Sequence, residues 1–349
     1  MTTAANQDSP TAIEPHKQCD LCDGSQFELV AQLDRRGRPL DTVVCTTCGL
    51  VAHANIPSDA QLDRYYAEEY RHDYHGEFAP SDRRVLRAWK NGRRLFEQLT
   101  PYVDGGDRVF EIGAGIGCNV KAFELAGFDA SGIEPGVGFQ QYAQTKLLAR
   151  VENARLFDLP ATHEHDLVLL IHVIEHFNSP RKALEHIHGL LRPGGRLYVE
   201  CPNLAAPFAR RSRLFHFAHI HNFTPATLSM MALRCGFRVE RQFSTRDDPN
   251  LQMLLIRADA PRRVIDSTSY DQTLLALRRY DNFTYHVRWN YVWPRLRKLA
   301  GYAAEHLTAT RAVRNLLQRC RSHSLAGTKP AVVDAVDAVD TPQTRRRAA

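Results

Sequence analysis

No apolar run in this chain of 349 residues approaches the ~18–20 residues that a membrane-spanning helix needs. Residues 1–15 are small and polar and lack the apolar core of a secretion signal. They read as a disordered arm, and the expected address is cytoplasmic. In that compartment thiols stay reduced or metal-bound, so disulfides are not expected. Extreme charge is lacking too: 45 Lys+Arg against 39 Asp+Glu leave a net +6, too modest an excess to imply nucleic acid by itself. Acid is nearly missing from residues 289–322, where Glu305 alone interrupts a stretch rich in Arg, Leu and Ala. A basic amphipathic helix of that kind can lie on a membrane surface or a partner; more often it packs on its own domain with a solvated basic face. The tail from Gly327, with repeated Ala-Val-Asp and a terminal arginine run, reads as disordered.

What is present suffices for a large core, since 44% of the residues are hydrophobic. The eight cysteines fall in two groups. Cys19 and Cys22, then Cys45 and Cys48, form two C-x-x-C knuckles about twenty residues apart, the pattern of a zinc ribbon. Four thiolates close a tetrahedral shell, so such a zinc is structural. Gly24 and Gly49, each just past a knuckle, ease the turns that face backbone N–H groups toward sulfur. Cys118, Cys201, Cys235 and Cys320 are scattered and read as small packing residues.

Val109 to Ile112 is a short apolar run broken only by Glu111, and Gly113, Gly115 and Gly117 follow at every second position. This reads as a buried strand turning sharply beneath a ligand before a helix begins near Asn119. The dinucleotide fingerprint needs its third glycine at 118, where this chain has Cys118. A second strand, Phe128 to Glu134, ends in an acid about twenty residues on. Asp166 to Ile171 reads as a fourth strand, followed by His172-Val-Ile-Glu-His176. Helical periodicity over 183–191 is broken by Arg192-Pro-Gly-Gly195 ahead of a strand over 196–200. An alternating segment places Phe237, Val239, Arg241 and Phe243 on one face, and it pairs with a strand over 251–256.

The acid-x-Gly-x-Gly-x-Gly loop, Glu134, the V-x-E-H turn and the L-x-P-G-G break together resemble class I S-adenosylmethionine-dependent methyltransferases over residues 100–260. The resemblance implies an α/β fold, a doubly wound, mostly parallel seven-stranded sheet. It also implies that Glu111, Gly113, Ala114, Gly115 and Gly117 line S-adenosylmethionine, with Ile171 and His172 nearby and Glu134 on the ribose. The loop from Ala154 to Pro160 leaves the adenine contact unassigned. With the knuckles and the segment Tyr65 to Tyr70 added, the arrangement of modules resembles bacterial deoxysugar C-methyltransferases and surface-glycan enzymes with an N-terminal zinc module. The organisation expected is an arm over 1–15, a zinc ribbon over 16–57 and a helical linker over 58–100, the last with Ser58 as a cap and an amphipathic helix over 81–99. A catalytic core over 101–260, a basic helical extension over 261–322 and a tail over 323–349 complete it.

Transfer to a hydroxyl or carbon acid profits from a general base, and histidine titrates near neutrality. His219 and, after it, His176 are the candidates. In sugar C-methyltransferases the stretch around His219 carries a tyrosine and an acid, where this chain has His216 and Ala218; that favours O-methylation or another substrate. Glu175 and His176 read equally well as groups that cap and orient the next helix. A zinc-protease reading of H-x-x-E-H is set aside because that motif belongs on a helix. Metal-using relatives carry an acid where His172 stands, so no divalent metal is expected at His172, Glu175 and His176. The expected acceptor is a small, sugar-linked molecule. Two alternatives stay open: a nucleic-acid methyltransferase, disfavoured by the lack of an aromatic-basic stacking platform, and a non-catalytic cofactor-binding scaffold.

Overall fold

The computed structural model describes residues 18–58, 61–62, 80–206, 209, 211–245, 247–258, 260–279 and 289–325. The arm over 1–15, Tyr65 and Tyr66 of the helix after Ser58, and the tail beyond 325 lie outside these residues. Ser58 and Gln61 form a reciprocal cap: the Ser58 Oγ accepts from the Gln61 N–H at 3.3 Å and the Gln61 Oε1 accepts from the Ser58 N–H at 2.9 Å.

The N-terminal module is an antiparallel meander of β1 (Phe27–Leu33), β2 (Pro39–Cys45) and β3 (Val51–His53). It is not a detached bead. A strand from far along the chain, β9 (His221–Asn222), pairs with β3 and becomes the fourth member of that sheet. Ribbon and core therefore share a sheet.

A helix, α1 (Asp82–Leu99), leads into the main sheet. Its apolar stripe, Val85, Leu86, Leu95 and Leu99, is buried, as the 3.6 periodicity required. The sheet takes β4 (Arg108–Ile112), β5 (Asp129–Ile133), β6 (Val151–Glu152), β7 (His165–Ile171), β8 (Leu191–Pro202), β10 (Phe237–Gln242) and β11 (Asn250–Arg257). Its order is β10-β11-β8-β7-β4-β5-β6. The five strands from β4 to β8 pair in parallel, while β11 runs antiparallel to both β8 and β10. This is the doubly wound, mostly parallel seven-stranded sheet expected from the sequence.

The two faces bury separate clusters. Val109, Leu167, Leu169 and Tyr198 face α1 and α2 (Cys118–Leu125). Phe110, Ile112, Val168, Leu170 and Val199 face the other way, toward α4 (Pro180–Leu190), α5 (Pro225–Arg234) and the ribbon cysteines. Between them in sequence, α3 (Val137–Tyr142) runs into a wider turn over Ala143–Leu147. Beyond the sheet come α6 (Ser269–Arg278), with Leu277 packed beside Val44 and Val51 of the ribbon, and α7 (Trp289–Leu325).

Two details differ from the sequence reading. The alternation from Phe237 to Phe243 breaks at a β-bulge between Val239 and Arg241. An extra residue reverses the side to which later side chains point. Phe237 and Val239 therefore pack on one face, while Phe243 packs on the other, against Tyr102 and Tyr198. Pro193, Gly194 and Gly195 do not precede the strand but lie within β8, as a shift in its register with β7.

Candidate functional site

The glycine turn sits at the carboxyl end of β4, where ligands bind in open α/β sheets. All three glycines hold positive φ, +73° at Gly113, +54° at Gly115 and +77° at Gly117, a region costly to other residues. Their surroundings differ. A Cβ on Gly113 would meet Val173 at 2.5 Å, and one on Gly117 would meet Ala143 at 2.9 Å. A Cβ on Gly115 would meet nothing within 4 Å. Gly113 and Gly117 are thus glycine for packing, while Gly115 faces open space that a ligand could occupy.

Glu134, just past β5, grips this loop. Its carboxylate accepts from the Gly115 N–H at 2.9 Å and the Gly136 N–H at 2.7 Å. Burial raises its pKa, and those two N–H groups oppose the rise. Glu111 is 2% exposed and accepts from the Asn119 amide at 2.5 Å, while its second oxygen has no partner. Burial pushes its pKa up to about 8. Ala114 is buried, with its N–H on the Ile133 carbonyl. Ile171 ends β7, and His172 follows at φ +53°, with its N–H on the Glu200 carbonyl at 2.7 Å. Val173 packing on Gly113 joins this second loop to the glycine turn.

A cluster of histidines surrounds one carboxylate beside that junction. Glu175 is 1% exposed, and neither of its oxygens accepts a hydrogen bond. The ring nitrogens facing Oε1 are His172 Nδ1 at 3.5 Å, His176 Nε2 at 3.9 Å and His219 Nε2 at 3.9 Å. His176 Nδ1 lies 2.6 Å from the Ala218 carbonyl, so that nitrogen carries the proton and Nε2 turns toward Glu175. The His219 ring lies 3.7 Å from that of His216, centre to centre, and 5.0 Å from that of His176. Burial, then His176 and His216, hold His219 well below the usual histidine range. Burial also lowers the pKa of His172, but the Glu175 and Glu200 carboxylates raise it on balance.

The fold thus brings together both histidines singled out in the sequence. It corrects the reading of Glu175 and His176 as groups capping the next helix: the cap of α4 is Ser179, whose Oγ accepts from the Lys182 N–H at 3.2 Å. Glu175 itself was missing from the expected site. Its signal was the H-x-x-E-H spacing, but spacing could not show that His219 approaches it from 44 residues downstream. A second group was not legible at all. Glu200 accepts from Arg94 at 3.0 Å, Tyr198 at 2.9 Å and Asn250 at 2.9 Å, and its Oε1 lies 3.8 Å from His172 Nε2. These four partners come from α1, β8, β11 and the loop after β7.

The four knuckle cysteines converge as expected. Their sulfurs lie within 4.8 Å of one another, with Cys19–Cys48 at 3.5 Å and Cys22–Cys45 at 3.4 Å. Tetrahedral zinc at about 2.3 Å from each sulfur sets neighbouring sulfurs about 3.8 Å apart. The Gly24 N–H reaches the Cys22 sulfur at 3.4 Å. The donor set, spacing and N–H···S contact fit a structural zinc. Loops of the same module hold the core: Asp20 accepts from Ser179 at 2.7 Å and the Arg181 N–H at 2.8 Å, and Asp23 pairs with Arg181 and Arg234.

Comparison with known proteins agrees with this architecture. Residues 70–242 match the family profile of a methyltransferase domain. An uncharacterized protein of Mycobacterium tuberculosis is 27% identical over 248 residues, covering 66% of this chain and 77% of that protein. A tRNA U34 carboxymethyltransferase of Methylococcus capsulatus is 29% identical over 187 residues, 49% of this chain and 55% of that protein. Among solved structures, the 1,6-didemethyltoxoflavin N1-methyltransferase of Burkholderia thailandensis aligns at a TM-score of 0.45 and 17% identity, over 60% of this chain and 96% of that one. Over residues 70–242 the chain carries a methyltransferase domain.

Proposed function

From that premise, we propose that the chain transfers a methyl group from S-adenosylmethionine to an oxygen of a small, sugar-linked acceptor. The observation that carries the cofactor side is Gly115: a positive-φ glycine whose missing Cβ opens onto space, between two neighbours whose missing Cβ atoms are walled in. Bound S-adenosylmethionine supplies a methyl already activated on a sulfonium, which leaves behind a neutral thioether. The residues then have mainly to align, an effect worth about 7–11 kcal/mol in favourable cases. Glu134 holds the glycine loop and takes the ribose hydroxyls, and the unpaired oxygen of Glu111 faces the polar methionine end. Gly113, Ala114 and Gly117 shape the loop, and Ile171 and His172 close the side next to it.

On the acceptor side, His219, or else His176, receives the one proton that the hydroxyl loses as its oxygen takes the methyl, with the Glu175 carboxyl beside both rings. The four cysteines hold one structural zinc, which keeps the ribbon folded against α4 and α5. A second reading, an RNA acceptor, is favoured by the likeness to a tRNA-modifying enzyme. The two part on substrate.

The test is calorimetry of the full-length, zinc-replete chain with S-adenosylhomocysteine, followed by a methyl-transfer screen over nucleotide sugars, lipid-linked glycans and tRNA. Binding with turnover on a sugar-linked acceptor is the expected result. Turnover on tRNA alone would replace the acceptor, and binding with no turnover on any acceptor would leave a scaffold. Absence of binding would overturn the reading.

A further inference from the structure

We infer that Glu175, His176 and His219 form a site for one divalent transition-metal cation, distinct from the cysteine site, on the acceptor side of the cleft. The inference rests on the acceptor-side placement proposed above: with a cation bound these residues would hold it, and without one His219 or His176 takes the proton as proposed.

The donor atoms are already gathered. One carboxylate oxygen and one ring nitrogen from each histidine lie within 4.8 Å of one another. Glu175 Oε1 lies 3.9 Å from the Nε2 of His176 and of His219; an ion about 2.1 Å from each donor would set such pairs about 3.4 Å apart, so the side chains must close by about half an ångström or more. Glu175 is 1% exposed and neither of its oxygens accepts a hydrogen bond, and buried carboxylates are as a rule paired or metal-bound. Ring nitrogens converge on its Oε1 from three histidines, His172 at 3.5 Å and His176 and His219 at 3.9 Å each.

The support around the ligands is of the kind metal sites carry. His176 Nδ1 is anchored on the Ala218 carbonyl at 2.6 Å, which fixes the ring and turns Nε2 inward. The His176 N–H bonds the Val173 carbonyl at 3.0 Å, and the His219 N–H bonds the His216 carbonyl at 3.0 Å, so both rings stand on closed turns. His219 precedes β9, which is paired into the ribbon sheet. Two neutral imidazoles with one carboxylate suit iron, cobalt, nickel, zinc or manganese better than magnesium or calcium. Three protein ligands leave coordination positions for oxygens of a hydroxyl- or carboxylate-bearing acceptor. The sequence reading set a metal aside at His172, Glu175 and His176 because His172 stands where metal-using relatives carry an acid; it could not see that the fold brings His219 to the same carboxylate.

The experiment titrates Co²⁺ into full-length protein already carrying zinc at its cysteines, followed by visible absorption and native mass spectrometry. Uptake of one Co²⁺ per chain is expected, with weak visible bands and no sulfur-to-cobalt charge transfer. Glu175→Gln and His219→Ala should each weaken uptake at least about tenfold while S-adenosylhomocysteine still binds by calorimetry. No uptake beyond the zinc, or uptake that both substitutions leave unchanged, overturns the inference. If the substituted chains fail to fold, proton NMR of the cobalt-loaded wild type decides: two paramagnetically shifted imidazoles support the site, and none overturns it. Loss of S-adenosylhomocysteine binding in the wild type would sink the methyltransferase reading instead, leaving the cobalt count to stand or fall on its own.

Discussion

At the residue scale, the glycine turn separates folding from binding within five positions. Gly113→Ala places a methyl 2.5 Å from Val173, in a φ region that already disfavours it. A strained backbone adds about 1–2 kcal/mol, and overpacking typically adds about 1–3 kcal/mol. Gly115→Ala carries the backbone cost but meets no neighbour within 4 Å. Gly113→Ala should therefore lower the melting temperature clearly more than Gly115→Ala. Gly115→Ala should in turn lose affinity for S-adenosylhomocysteine by at least about tenfold, or 1.4 kcal/mol. Thermal melts and calorimetry on both variants check the pair. The larger loss of stability in Gly113→Ala together with the larger loss of binding in Gly115→Ala would confirm the division of labour; intact binding in Gly115→Ala would remove Gly115 from the pocket.

At the element scale, the ribbon and the core are one structure joined at β9. Loss of the cysteine-bound metal should therefore loosen more than the ribbon. Metal affinity counts as folding free energy in small zinc modules, on the order of 10–16 kcal/mol in peptides. Cys45→Ser should abolish stoichiometric zinc in elemental analysis. Hydrogen exchange should then rise in β1, β2, β3 and β9, while β4 and β7, buried at the sheet centre, stay protected. If β9 stayed protected, the shared sheet would not couple the two parts. The sequence made much of this legible. Period-two alternation, apolar runs and glycine breaks located the strands of the main sheet except the two-residue β6, and the two knuckles located the turns whose four cysteines converge. What it hid are the links of long separation. His221 and Asn222 carry no pattern that announces a two-residue edge strand, and nothing near Glu200 announces Arg94, which is 106 positions away. The bulge after Val239 was hidden for another reason: one extra residue leaves composition unchanged yet turns Phe243 to the opposite face.

At the scale of the whole molecule, the basic C-terminal helix is part of the core rather than an appendage. Ala309, Val313, Leu316 and Cys320 recur at helical spacing along α7 and are buried in the same cluster as Val85 and Leu95 of α1. Glu305, the lone acid of the stretch, pairs with Arg87 of α1 at 2.6 Å, and Arg87 also lies 4.4 Å over the Tyr302 ring. Full burial of a Val or Leu side chain is worth about 1.5–3 kcal/mol, whereas an exposed ion pair gives roughly 0.2–1 kcal/mol. The apolar contacts therefore dominate this docking. Removing residues 301–349 should expose Leu86, Trp89 and their neighbours and lower the melting temperature sharply, whereas Arg87→Ala should lower it slightly. The same geometry constrains any membrane contact. Because the apolar side faces α1, the described side chains of α7 left to meet a surface are mainly the exposed Arg311, Arg314, Arg319 and Arg321, with Leu307 and Leu325 as isolated exposed apolar groups. No helix among the described residues is long and apolar enough to cross a membrane. Co-sedimentation with vesicles containing anionic lipid should accordingly show weak binding that physiological salt abolishes, since screening acts within about 8 Å at that ionic strength. Binding that survives high salt would mean that α7 leaves α1 to insert its apolar face, and the truncated chain would then lose the vesicles as well as its stability.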